Sequence, residues 1–148
     1  MTAADRGKKA EGKLQKAFDK LEASRQDFCY ERIYDARSSM GKMSNPRVGD
    51  FVLYHQGRNV IVEVKEVAHD YRLPCGNFDR GQRARLRKRQ LAGSICAILV
   101  YHSTTDVWRI ATLDFFGTKD QGSWDFRETP ECTLATVLDV LVNKWSLL

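Results

Sequence analysis

Apolar residues recur along the chain at helical spacing near both ends and in β-type runs between them. Leu14, Phe18 and Leu21 predict an amphipathic helix over 8–24. An apolar stripe predicts a second such helix over 133–145, near the other end of the chain. Runs rich in β-branched and aromatic residues predict strands between the two helices. These runs cover 28–34, 51–54, 60–62, 95–101 and 107–113.

The two runs on either side of Gly57 predict a β-hairpin. We expect Gly57 and Arg58 to form its two-residue loop, because type II′ turns favour glycine at the first position. In that register Asp50 lies opposite Lys65, and Glu63 lies on the same face. One face of the hairpin is therefore predicted to carry two carboxylates and an amine.

A mostly apolar sheet buries such a set only at a large free-energy cost unless the charges neutralise one another or hold a cation. Carboxylate oxygens are hard ligands that suit Mg²⁺ or Mn²⁺. A lysine beside them can orient or deprotonate an attacking water, or stabilise charge on a reacting phosphoryl group. Asp50, Glu63 and Lys65 therefore predict a metal-dependent site for phosphodiester hydrolysis. The alternative is a solvated set of cross-strand charges on an antiparallel sheet.

A second concentration of charge lies in a segment that the sequence predicts to be helical up to Gly93. It contains six basic residues and no acidic residue between them. Like charges on about three helical turns repel, which favours a polyanionic partner and salt-dependent binding. A solvated surface helix is the alternative, although such helices usually mix charges of both signs. The candidate DNA-binding residues are Arg80, Arg83, Arg85, Arg87, Lys88 and Arg89.

Composition and length limit the classes of protein that the chain can belong to. With 148 residues, of which 43% are hydrophobic, it is predicted to form one domain around a single core. We expect an intracellular protein, because no apolar run reaches membrane-spanning length and the N-terminal segment lacks an apolar signal core. The four cysteines are far apart and the three histidines form no pattern with them, so neither a zinc site nor a disulfide framework is indicated.

Glu11 is a third candidate carboxylate. It lies one turn before Leu14 and shares the inward-facing stripe of the predicted N-terminal helix. The alternative is that Glu11 is a charge near a helix N-terminus, where the helix macrodipole favours a carboxylate.

The order of helix, acidic hairpin, helix and final strand pair resembles the PD-(D/E)xK nuclease superfamily. Within it, the stretch from 49 to 115 is similar to the RecU-type Holliday junction resolvases. The Glu-x-Lys pattern alone is common, whereas the string that follows it is more specific. That string consists of Glu63-Val64-Lys65-Glu66, Leu73-Pro74, Asn77-Phe78, Gln82, Leu86 and, after Gly93, the strand from Ile95 to Val100.

The resemblance implies a fold and a set of roles. The fold is a single-domain α/β (α+β) core of the restriction-endonuclease type, with a mixed central sheet flanked by helices, a nuclease domain over 1–148 and a catalytic core over 49–115. Asp50 and Glu63 would coordinate Mg²⁺ or Mn²⁺, with the Val64 carbonyl as a further ligand, and Lys65 would position the water. Two further members of the family's site would correspond to Glu11 and Gln82.

The sequence departs from the family pattern at two places, and the second, a shortened stalk, concerns selectivity for four-way junctions more than hydrolysis. Val48-Gly49 stands where the family has Ser or Thr before the aspartate, and only 35–47 could form the family's projecting stalk. The candidate site and the resemblance together favour a Mg²⁺-dependent, structure-selective DNA endonuclease. Within that class they favour a Holliday junction resolvase of bacterial or viral recombination and repair. We expect such a protein to be cytoplasmic and homodimeric. Its alternatives are a less selective endonuclease or exonuclease, and a DNA-binding protein without catalysis.

Overall fold

A computed structural model describes residues 3–34, 48–67 and 71–148, with side chains from residue 9 onward. The segment 35–47, which the sequence makes the candidate for the family's projecting stalk, lies outside these ranges. Within them, no helix is both long enough and apolar enough to cross a bilayer. The elements are α1 (Ala3–Ser24), β1 (Phe28–Arg32), β2 (Phe51–His55), β3 (Arg58–Val67), β4 (Arg72–Pro74), α2 (Arg80–Leu91), β5 (Ile95–His102), β6 (Val107–Ala111), α3 (Leu113–Phe116), β7 (Ser123–Asp125) and α4 (Leu134–Asn143).

A five-stranded mixed sheet in the order β1-β2-β3-β5-β6 forms the centre of the fold. The β3–β5 pair is parallel, and the other three pairs are antiparallel. The helix α2 lies in the connection between the two parallel strands, as such a crossover requires. The predicted fold class, a mixed sheet flanked by helices, is confirmed.

Alternation along the strands divides the core into two layers. One layer packs α1 and α4 against the sheet through residues such as Leu14, Phe18 and Val137. The other layer packs α2, α3 and the small β4–β7 sheet against the opposite face, through residues such as Leu86 and Trp124. Because side chains on β3 alternate, Ile61 and Val67 belong to the α2 layer, whereas its even-numbered valines face α1.

The hairpin register differs from the predicted one. His55 pairs with Arg58, so the two-residue loop is Gln56-Gly57 and not Gly57-Arg58. Both loop residues have positive φ, 52° and 77°, as a type I′ turn demands. The difference shifts the pairing by two residues, which leaves every side chain on its predicted face and pairs Phe51, the first residue of β2, with Val62 instead of Val64.

Several predicted boundaries also move. The helix α1 begins at Ala3, and α4 is confined to Leu134–Asn143, followed by a short 3₁₀ turn. The strand predicted over 107–113 ends at Ala111, and α3 follows it. The sequence predicts an irregular segment from Phe116 to Glu131, but the structure has β7 there, which pairs with β4. Strands of three residues are too short to produce a detectable period.

Gly49 precedes β2 and has a φ of +79°, a left-handed conformation. A Cβ at this position would lie 2.5 Å from the Ile61 Cγ2 atom and 3.1 Å from the Val62 carbonyl oxygen. Gly57 also has positive φ, but nothing lies within 4 Å of the Cβ it would carry. The two glycines therefore share a backbone constraint and differ in packing.

We predict that Gly49→Ala lowers the free energy of unfolding by about 2–4 kcal/mol, because it adds a steric clash to backbone strain. Gly57→Ala is the matched control and should cost about 1 kcal/mol, from the backbone alone. Urea denaturation of both variants measures the difference. Equal losses would contradict the close packing of Gly49 against β3.

Candidate active site

Asp50, Glu63 and Lys65 meet on the face of the sheet that α2 covers. Asp50 is 2% exposed and Glu63 is 4% exposed, so both carboxylates are nearly removed from solvent. The Lys65 side chain is 11% exposed, and its Nζ lies 3.1 Å from the Glu63 Oε1 atom. The sequence prediction that the three share one face agrees with this placement.

Backbone contacts hold Asp50 between β1 and β3. Its N–H donates to the Val62 carbonyl at 2.7 Å, and its carbonyl accepts the Ile33 N–H at 2.9 Å. Its Oδ2 atom accepts the Val64 N–H at 2.7 Å. The N–H and carbonyl of one strand residue face the same neighbouring strand, so the Val64 carbonyl is on the same side of β3 as Asp50.

Lys65 is held by the turn that precedes α2. Its Nζ donates to the Asn77 carbonyl at 2.6 Å and lies 4.9 Å from the centroid of the Phe78 ring. Phe78 is fully buried, and its N–H closes the turn on the Cys75 carbonyl at 3.2 Å. The Asn-Phe pair, which the sequence distinguishes only by its family resemblance, thus forms the support of the lysine.

The charge of the cluster fits a divalent cation. Two carboxylates and one ammonium group leave an excess negative charge in a buried site, which a cation would offset. Mg²⁺ is usually held by one or two carboxylates together with waters and phosphate oxygens, and not by an all-protein cage. Among the described residues no group of three His, Cys, Asp or Glu side chains could hold a metal ion.

Glu11 lies on α1, the helix that packs on the other face of the sheet. Its Oε2 accepts a hydrogen bond from the Arg32 Nη2 atom at 2.8 Å. Arg32 pairs with Phe51, the residue after Asp50, so the ion pair lies at the same end of the sheet as the acidic cluster. The structure therefore places Glu11 near this end but does not join it to Asp50 and Glu63 in a three-carboxylate set.

Gln82 lies in the first turn of α2. Its N–H donates to Oδ1 of Asp79, the N-cap residue, at 2.8 Å. Leu86, one turn later on the same stripe, is buried in the α2 layer. The Gln82 Oε1 atom is buried and accepts no hydrogen bond from the described residues, so the side chain presents an acceptor within this layer.

The six basic residues predicted to bind DNA do lie on a helix, α2, but they are not equivalent. Arg83 is 7% exposed, and its side chain donates to three backbone carbonyls. The acceptors are Phe78 at 3.2 Å, Gly117 at 3.1 Å and Lys119 at 2.6 Å. A guanidinium that is buried and satisfied in this way supports the fold, so we revise the expected DNA-contact set to the other five residues.

Acidic residues outside α2 pair with two of those five. Arg80 contacts Asp120 at 3.2 Å, and Arg87 contacts Asp114 at 2.8 Å. Lys88 and Arg89 are exposed, and Arg85 is half-buried. The charge run visible in the sequence is therefore partly neutralised by residues 27 and 40 positions away, which no local pattern reveals.

The chain has the fold of a known nuclease. It is similar to the structure of Archaeoglobus fulgidus Hjc, a Holliday junction resolvase from an archaeal hyperthermophile, with a TM-score of 0.60 and 15% sequence identity. The match covers 88% of this chain and 96% of that chain. No protein-family model and no curated protein sequence matches the chain. The likeness shows the fold, and the narrower resemblance to RecU-type resolvases stays a prediction.

We predict that Arg83→Gln lowers the free energy of unfolding by about 3 kcal/mol, because three backbone carbonyls lose the charged donor that a buried guanidinium supplies. Arg87→Gln removes the same charge from the exposed face of the same helix and should change stability by no more than about 0.5 kcal/mol. Thermal or urea denaturation of the two variants provides the measurement. A stable Arg83→Gln protein would contradict the structural role and return Arg83 to the DNA-contact set.

Proposed function

We propose that the protein is a Mg²⁺-dependent DNA endonuclease that hydrolyses phosphodiester bonds, with the four-way Holliday junction as its preferred substrate. The observation that carries this proposal is that Asp50, Glu63 and Lys65 are buried side by side on the face of the sheet that the basic helix α2 covers. The shared fold with a Holliday junction resolvase supports the same conclusion. A role in DNA recombination and repair follows from that substrate.

The chemistry of the site is divided among few groups. Asp50, Glu63 and the Val64 carbonyl would hold the cation, which when bound supplies Lewis-acid activation of a water and of the scissile phosphate. Lys65 is directed to its position by the Asn77 carbonyl and the Phe78 ring, and from there it orients the attacking water and stabilises negative charge on the phosphate. The packed α2 layer limits the access of bulk water to these groups.

The basic helix would hold the DNA by its phosphates. Exposed arginine and lysine side chains on α2 bind the sugar-phosphate backbone without reading base edges, which suits an enzyme selective for DNA shape. Arg80 pairs with Asp120 and Arg87 pairs with Asp114 in the absence of DNA. When DNA binds, phosphates would replace these carboxylates as the partners of the two arginines. The resulting affinity should depend strongly on salt.

Cleavage assays on a four-way junction, a duplex and a flap, each with and without Mg²⁺, test the function directly. Metal-dependent cleavage that favours the junction supports the resolvase. Cleavage of all three at similar rates identifies the less selective nuclease. Binding without cleavage under any of these conditions would overturn the catalytic proposal in favour of a DNA-binding protein.

We predict that Asp50→Asn and Glu63→Gln each abolish cleavage and leave DNA binding intact or tighter, because each removes a metal ligand and a negative charge near the phosphate. Lys65→Ala should lower the rate on the order of a hundredfold, as expected for the loss of a positioned catalytic group. Asp139→Asn is the matched control, a partly exposed carboxylate on α4 that pairs with Lys144 and whose loss should spare cleavage. Wild-type rates in either ligand variant would refute the assignment.

We predict that the double variant Arg87→Gln/Lys88→Gln flattens the slope of log affinity against log salt by about two units, because each phosphate that is no longer neutralised reduces the slope by roughly 0.9. The matched control is Arg127→Gln/Lys144→Gln, which removes one arginine and one lysine outside α2, each exposed and ion-paired. Filter binding or fluorescence anisotropy over a salt series gives both slopes. An unchanged slope in the α2 variant would show that this helix does not face the DNA.

We predict that the protein is a homodimer, because cutting both strands of a junction in one encounter needs two active sites. Sedimentation at micromolar concentration should give twice the chain mass of 17.0 kDa. A chain that stays monomeric on junction DNA, and cuts one strand per encounter, would favour the simple endonuclease.

A further inference from the structure

A groove lies between α1 and α4, on the face of the sheet opposite the candidate active site. Its cavity has a volume of about 340 Å³. The floor is apolar, whereas one rim is basic and ends at Ser24. The floor is lined by Ala17, Leu21, Leu134 and Leu138, and the rim by Lys13, Lys16 and Lys20.

The floor of the groove is a partly covered extension of the core. Leu21, Leu134 and Leu138 pack against the core cluster of the α1 layer, yet each remains partly exposed. Apolar side chains in a concave site gain free energy when a ligand removes them from water. The groove therefore offers an anchoring point for an apolar group.

The lysines of the rim occupy one side of α1, and its described carboxylates occupy the other. Glu11 pairs with Arg32, while Asp19 and Glu22 both accept hydrogen bonds from Tyr30 on β1. The helix therefore directs its described negative charges toward the sheet edge, whereas Lys13, Lys16 and Lys20 face the groove.

These positive charges form a row with little internal compensation. The three rim lysines extend over about 10 Å of helix, at a rise of roughly 1.5 Å per residue. Lys13 lies 3.6 Å from Asp106, at the turn between β5 and β6. Lys16 and Lys20 are exposed and form no ion pair with the described residues. Like charges at this spacing repel, so a ligand with negative charge would relieve the rim.

We propose that this groove binds an acidic peptide segment of a partner protein, anchored by one or two bulky apolar side chains. A DNA backbone would contact the lysines alone, because it offers no apolar group that could be buried against the floor of the groove. A lipid surface is flat, whereas the site is concave. A volume near the lower end of ligand pockets, roughly 300–1,000 Å³, admits an anchor residue or two but not a whole domain. The lysine rim supplies the complementary charge.

The position of the groove allows docking and DNA binding at the same time. The groove is built on α1 and α4, while Glu63, Lys65 and α2 belong to the opposite layer. A bound peptide would therefore leave the candidate active site open. Peptide binding depends on the groove alone, so it stands or falls separately from the proposed nuclease activity.

Binding of a short fluorescein-labelled peptide, in which Asp and Glu residues surround two leucines, tests the proposal on the full-length protein. Two control peptides of equal length replace the leucines by serine, or the acids by their amides. Only the acidic peptide with leucines should bind well. When this peptide is added to isotopically labelled protein, the largest changes in backbone amide chemical shift should lie around Ala17, Leu21 and Leu134.

Three variants separate charge from shape. Lys16→Gln/Lys20→Gln should weaken binding of the acidic peptide roughly tenfold, whereas Lys16→Arg/Lys20→Arg should retain it. Ala17→Trp fills the floor without changing charge and should also weaken binding at least tenfold. Circular dichroism and melting curves verify that each variant is folded. None of these residues belongs to the candidate active site, so wild-type behaviour in the DNA assays is expected.

Four results would overturn the proposal. The first is equal binding of the serine control, which would show electrostatic attraction without anchoring. The second is that the acidic peptide fails to bind the groove, either because it does not bind at all or because the changes in amide chemical shift centre on α2. The third is Lys16- and Lys20-dependent binding of anionic phospholipid vesicles or duplex DNA in place of the peptide. The fourth is self-association that Ala17→Trp abolishes, which would make a second copy of the chain the occupant.

Discussion

The hydrogen bond from the Val64 N–H to the Asp50 carboxylate, 2.7 Å long, is the contact on which the candidate site depends. The ladder between β2 and β3 begins at the pair of Phe51 with Val62, so the next part of β3 needs another acceptor. The Asp50 side chain provides it in place of a strand carbonyl. Asp50 thereby ends the ladder and holds the part of β3 that contains Glu63. The same side chain places a second carboxylate beside that of Glu63. Glycine at position 49 permits this close approach to β3, because a Cβ there would clash with the Ile61 side chain and crowd the Val62 carbonyl.

Burial then constrains the charges around Asp50. Carboxylates removed from water are stabilised only by hydrogen bonds or positive charge, and Lys65 supplies the nearest ammonium group, 3.1 Å from Glu63. The lysine is itself held by a backbone carbonyl and an aromatic face, so its position does not depend on a ligand. An ammonium group already in place beside two carboxylates would suit the metal-assisted hydrolysis proposed above, because preorganised charges need no rearrangement when charge develops on a reacting group.

Sequence patterns predicted the faces of the strands well and their pairing less well. Alternation placed Asp50, Glu63 and Lys65 on one face, and that survives any even shift of register. The shift itself depends on the turn, where Gln56 accepts a positive φ that the glycine preference did not suggest. Arg83 shows the other limit. Its sequence neighbours made it resemble a phosphate contact, whereas two of its three acceptors lie 34 and 36 residues away. Tertiary partners at such distances leave no local signal.

Two buried arginines explain why the segment after Phe116 is ordered despite its lack of periodicity. Arg83 binds the carbonyls of Gly117 and Lys119 from α2, and Arg109 on β6 binds those of Phe126 and Thr129. Arg109 also donates from Nε to His102 Nε2 at 2.9 Å, which requires a neutral imidazole with its proton on Nδ1. Burial lowers the pKa of His102, and the adjacent guanidinium lowers it further, so the acceptor form is maintained. An irregular chain satisfies few of its own carbonyls, and a guanidinium with five donors can satisfy several at once. The wall of the α2 layer is therefore held by side-chain donors more than by strand pairing, and such contacts leave no periodic pattern in the sequence.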